Sequence, residues 1–145
     1  MPQGSRLSKI SGDRVSQDQK QRSILNLAKI LGFVLAIILV LILALLPREI
    51  AVHLSSSDKI DHFAAFAVLM MLGQLAFPAR FHVALGLGLI GFGALIELLQ
   101  AVPGLNRSPD LLDWLVEIAA VLMVGFLYAP ISAMVLRLWN HIARR

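Results

Sequence analysis

The chain has 145 residues, 58% of them apolar and 15% charged, with a formal charge of +4 and a mean hydropathy of +0.79. Soluble domains average about 45–50% apolar and about 25% charged residues, so the composition points to a bilayer rather than to water. The absence of cysteine excludes disulfides, a thiolate nucleophile and a cysteine-ligated metal, and so small a charge, gathered at the termini, fits a membrane surface and not nucleic acid.

Residues 1–22 are polar and aperiodic and are expected to form a mobile basic cytoplasmic tail. Ile30 to Leu46 contains no polar side chain. With helical residues from Ser23 onward it is long enough to cross a hydrocarbon core of about 30 Å. Lys29 can reach back to the headgroups. The run is long for a signal-peptide core and no A-x-A cleavage site follows it, so it is read as a retained first span.

The second apolar run, Phe63 to Phe77, stops at Pro78 and is completed by Asp58 to His62 as its first turn. The third, from Val83 to Gln100, carries Gly86, Gly88, Gly91 and Gly93. Glycines at this density cost about 1 kcal/mol each in a soluble helix, and in a bilayer they let helices approach closely. The fourth span begins near Asp110 and runs to Tyr128, with Pro130 expected to interrupt or kink the chain. In the last segment, 131–145, Ile131, Val135, Leu138, Trp139 and Ile142 follow helical spacing opposite Arg137, His141, Arg144 and Arg145. That pattern predicts an amphipathic basic helix lying at the interface. The expected fold is therefore all-α: four transmembrane helices, residues 23–130, with a C-terminal amphipathic helix.

Four spans place both termini on one side. Arg6, Lys9, Arg14, Lys20, Arg22, Lys29, Arg80, Arg137, Arg144 and Arg145 fall on that side, against Arg48, Lys59 and Arg107 on the other. The positive-inside rule then puts both termini in the cytoplasm. Seven of the nine acids, Glu49, Asp58, Asp61, Glu97, Asp110, Asp113 and Glu117, fall on the outer face.

Three polar helix ends are thus expected to meet there. Asp58 is spaced i, i+3 from Asp61 and i, i+4 from His62; Glu97 and Gln100 are i, i+3; Asp113 and Glu117 are i, i+4. Such spacings put the members of each pair on one helix face. An ionisable group in a span costs about 2.5–3.5 kcal/mol at the helix centre and less near the interface, so a shared pocket satisfies the three ends better than separate exposure to lipid. Lys59, His62 and Arg107 are the candidate positive partners, and Glu97 is expected to bond Lys59 or Arg107.

The blocks "DKIDHFAAFAVL", "GFGALIELLQ" and "NRSPDLLDWLVEIAAVLMVG" resemble the VanZ-like family of small bacterial membrane proteins, in the same order and spacing. The resemblance covers about Asp58 to Gly125. It carries over onto Asp58, Lys59, His62 and Phe63, then Glu97 and Gln100, then Arg107 and Asp113. Glu117 stands where many relatives have Asn, and Ala120 where they have Gly; the first departure adds a titratable group. The resemblance implies a cell-envelope context and, through the family's namesake, a link to teicoplanin resistance.

The expected ligand-binding cluster is Asp58, Lys59, His62, Glu97, Gln100, Arg107, Asp113 and Glu117. The guanidinium of Arg107 suits an anionic headgroup. No compact metal signature such as H-E-x-x-H is present, so no metal or cofactor is expected, although Asp58, Asp61, His62, Glu97 and Asp113 offer ligand atoms. Trp114 is expected to anchor at the interface, and His53 and His82 have no partner in local sequence. Three functions stay open: binding of a lipid-linked or peptidoglycan-related ligand, acid–base chemistry on such a ligand, and structural packing of a membrane-protein partner or a second copy through the glycine-rich span.

Overall fold

The computed structural model describes residues 3–47, 57–103 and 108–143. Four α-helices account for nearly all of them: α1 (Gln3–Leu45), α2 (Asp58–Ala76), α3 (His82–Gln100) and α4 (Leu111–Ile142). Among the described residues there is no strand. All four are long and apolar enough to cross a membrane.

Local chemistry sets the boundaries. Ser57 has an extended backbone, and the acids Asp58 and Asp61 occupy the first turn of α2, where they complement the helix dipole. Pro78 holds Phe77 extended, which ends α2 one residue earlier. A 3₁₀ turn, Ala79–Phe81, leads directly into α3. Asp110 caps α4: its backbone is extended and its Oδ1 accepts the Leu112 N–H at 2.8 Å.

The core is drawn from one stripe of each helix. Phe66, Leu69 and Met70 of α2 meet Leu89 and Ile96 of α3 and Ala120 and Val121 of α4, all at most 3% exposed. Phe33, Ala36, Ile37, Val40, Leu41 and Ala44 of α1 pack against this cluster. The spacings Phe66–Leu69–Met70 and Glu117–Ala120–Val121 are those of a helix face turned inward. Outward-facing Leu35, Leu39, Val83, Leu87, Leu122 and Phe126 are exposed and form an apolar surface of the kind a bilayer covers.

Only some of the glycines serve close approach. A Cβ on Gly93 would collide with the Glu117 carboxylate, and one on Gly86 would touch Val121 at 3.5 Å. Gly88 and Gly91 face open space, so within this chain neither serves close packing.

Two further expectations are corrected. Residues 3–22 are not an aperiodic tail: they form the first half of α1, which at about 1.5 Å per residue is roughly 65 Å long. The segment after Pro130 is not a separate interfacial helix. It is the end of α4, which passes through Pro130 without a break. Pro130 lacks one N–H donor, and spans tolerate that loss when neighbouring turns keep the backbone bonded.

Candidate functional site

The C-terminal end of α3 and the N-terminal ends of α2 and α4 lie at the same end of the bundle and bring their polar residues together. They form a cluster with two levels.

The rim is built on Lys59. Its Nζ donates to Asp110 Oδ2 and to Asp113 Oδ1, both at 2.9 Å, and so ties α2 to the start of α4. Lys59 and Asp110 remain partly exposed, with side chains at 41% and 44%, whereas Asp113 is at 9%. The Lys59 ammonium is the main reason that the Asp110 carboxyl is held below the usual carboxylate range, and the Leu112 N–H adds to the effect.

The floor lies one turn deeper on α4. Glu117 is fully buried, and its Oε1 is hydrogen-bonded to His62 Nδ1 at 2.7 Å. Glu117 Oε2 fills the space left by the missing side chain of Gly93 and has no hydrogen-bond partner. On α3, Glu97 stands one turn beyond Gly93. Its Oε2 accepts the Asp110 backbone N–H at 2.7 Å, while its Oε1 is buried and without a partner. Trp114 donates its indole N–H to the Ile90 carbonyl at 3.0 Å and holds α4 against α3 beside Gly93.

Asp58, Lys59, His62, Glu97, Asp113 and Glu117 therefore lie together in one cluster. Two atom sets in it have metal-ligand proximity: Asp58, His62 and Asp113, and His62, Glu97 and Glu117, each with its nearest ligand atoms within 4.8 Å of one another. Two sequence expectations change. Gln100 does not join the cluster; it is buried and donates to the Ala44 carbonyl at 2.9 Å, fixing the end of α1. Glu97 is not the partner of Lys59, because Asp110 and Asp113 hold that ammonium. Trp114, expected only as an interface anchor, also ties α4 to α3 through its indole N–H. Arg107 and His53 lie outside the described residues.

Asp110 is the residue that sequence reasoning left out of the site. It caps α4, holds Lys59 and orients Glu97. The "SPD" that opens α4, an N-cap acid after a proline, was the available signal.

The other end of the bundle is simpler. His82 bonds the Phe77 carbonyl at 3.1 Å and meets Tyr128 edge to face, 5.8 Å between ring centres, so it is not partnerless. Two apolar grooves, of about 640 and about 570 Å³, line the bundle near Met70, Leu87 and Phe126 and near Phe33, Leu85 and Phe92. Neither is lined by a residue of the polar cluster.

The chain was compared with family models, with curated proteins and with solved structures, and none of the three gave a match.

Proposed function

We propose that this chain is a VanZ-like protein of the bacterial inner membrane, with both termini cytoplasmic, that binds a lipid-linked or peptidoglycan-related ligand in its outer-face polar cluster. The observation that carries this reading is the pair of buried carboxylate oxygens, Glu97 Oε1 and Glu117 Oε2, left without partners inside a cluster assembled from three helix ends. Buried polar groups are normally satisfied, and ionisable groups in a span default to function. Among the described residues of the cluster, the acids Asp58, Glu97, Asp110, Asp113 and Glu117 outnumber Lys59 and His62. That excess favours a ligand group that donates hydrogen bonds or carries positive charge, such as an amine of an envelope lipid or of a peptidoglycan stem.

The test is teicoplanin susceptibility in a sensitive host that expresses the wild type, His62→Ala or Glu97→Gln at matched membrane levels. Wild-type protein raises the tolerated concentration, and both variants lose that gain. Equal protection by all three proteins removes the cluster from the function.

A second reading has its own observation. The 2.7 Å contact orients His62 through Nδ1 and leaves Nε2 as the nitrogen available to a substrate proton. An intramembrane acid–base enzyme would then convert an envelope lipid. Release of a modified lipid by purified protein, lost in His62→Ala, separates conversion from binding.

A further inference from the structure

We infer that His62, Glu97 and Glu117 form a binding site for a divalent transition-metal ion at the floor of the polar cluster. The site shares residues with the ligand-binding reading above but does not depend on which ligand, if any, enters the rim.

Three features point to it. The first is proximity across three helices: one ring nitrogen of His62, one oxygen of Glu97 and one oxygen of Glu117 all lie within 4.8 Å of one another. A point central to three atoms so placed is no more than about 2.8 Å from each, within roughly 0.8 Å of a zinc–nitrogen or zinc–oxygen bond.

The second is the unsatisfied oxygens. Glu117 is 0% exposed, yet its Oε2 has no donor, and the buried Oε1 of Glu97 has none either. A carboxylate oxygen buried without a donor is costly, and a cation held between the two carboxylates would offset that cost. The other candidate set, Asp58, His62 and Asp113, lacks this feature, because Lys59 already holds Asp113 Oδ1.

The third is outer support. The Asp110 N–H fixes Glu97 through its other oxygen, as groups behind metal ligands commonly do. Gly93 supplies the room for Glu117.

One imidazole and two carboxylates suit Zn²⁺ or Mn²⁺ better than Mg²⁺ or Ca²⁺, which favour all-oxygen shells. Three protein ligands leave a coordination position free for water or for an oxygen of a bound molecule.

The test uses full-length protein purified in mild detergent, stripped with chelator and dialysed against Zn²⁺, with metal counted per chain. Co²⁺ then serves as an optical probe of coordination. The wild type retains one Zn²⁺ per chain and gives a Co²⁺ spectrum with a histidine-ligated, low-coordinate pattern. Glu117→Gln is nearly isosteric and keeps a group bonded to His62; it weakens Zn²⁺ at least 10-fold while gel filtration and helical content stay unchanged. His62→Ala removes the nitrogen ligand and the Co²⁺ signature. His82→Ala, at the opposite end, keeps full binding and controls for adventitious histidine coordination. Folded wild type that retains no Zn²⁺ overturns the site, and so does Zn²⁺ that survives in Glu117→Gln and leaves only in His82→Ala. Susceptibility reads the ligand reading separately: zinc retained with no protection in cells, or protection with no zinc, identifies which of the two has failed.

Discussion

Replacing Gly93 with alanine tests the contact on which the floor of the site depends. In an isolated helix the change is favourable by about 1 kcal/mol. Here the new Cβ would collide with Glu117 Oε2 and lie 3.2 Å from both Glu117 Cδ and Trp114 Cδ1. One relief is to swing the Glu117 carboxylate away. Its Oε1 is bonded to His62 at 2.7 Å, and breaking a charged hydrogen bond costs about 1.5–3 kcal/mol. The other relief is to push α3 off α4, stretching the Trp114–Ile90 bond of 3.0 Å, and overpacking of this kind costs about 1–3 kcal/mol. After the helical gain is subtracted, Gly93→Ala is destabilised by up to about 2 kcal/mol. Gly88 and Gly91 have nothing within 4 Å of an added Cβ, so alanine there is neutral or stabilising by up to about 1 kcal/mol. The spread between Gly93→Ala and Gly91→Ala is then about 1–3 kcal/mol, or roughly 5- to 150-fold in the unfolding equilibrium. Unfolding in mixed micelles by titrated SDS, followed by helical circular dichroism and tryptophan fluorescence, measures it. Midpoints that coincide for the two variants would refute the close approach of Gly93 to Glu117.

Two further substitutions probe the rim and the α1 tether. Because the Asp110 carboxyl is held low in the folded protein, its contribution to stability is fully present above the ordinary carboxylate value of about 3.9 and is lost as pH falls through its lower folded value. Lys59→Met removes the main cause, so the loss of stability on acidification below about pH 4 becomes shallower in that variant, as SDS unfolding at a series of pH values reads directly. Raising salt in the wild type weakens the same pair, since both side chains are partly exposed. Gln100→Leu deletes the bond to the Ala44 carbonyl and lowers stability by about 0.5–1.5 kcal/mol; its more diagnostic effect is faster proteolysis after α1, measured by mass spectrometry of the fragments.

The four helices were legible because each apolar run has the length of a span and a polar or proline boundary. The common end of Asp58, Glu97 and Asp113 was legible too, because alternation of helix direction fixes it once four spans are counted. Partners were not. The spacing of Lys59 and Glu97 allowed an ion pair, yet which acid reaches Lys59 depends on how far α4 is rotated about its axis, and no one-dimensional pattern encodes that rotation. Gly93 and Gly91 look equivalent in "GFGALIE", but a two-residue step turns a helix through about 200°, and only one of them faces Glu117. The helix over residues 3–22 was not legible for a different reason. Their polar composition lacks an apolar period, and helix can still propagate into them from the long apolar run that follows.

The order of satisfaction within the cluster runs opposite to that of an ordinary helix end. Where acids only cap helices beside water, buried oxygens are paired and exposed ones are left to solvent. Here the partly exposed Lys59 and Asp110 are paired with each other, and Lys59 also with the buried Asp113, while one oxygen each of Glu97 and Glu117 is buried without a partner. An aliphatic residue at 117 would fill the same space beside Gly93 without a desolvated carboxylate, so helix packing alone gives no reason for an acid there. A paired rim over two half-satisfied buried carboxylates is an arrangement that a cation would complete, which is why the proposed metal site is placed at His62, Glu97 and Glu117 and not at the more exposed charges of the sequence.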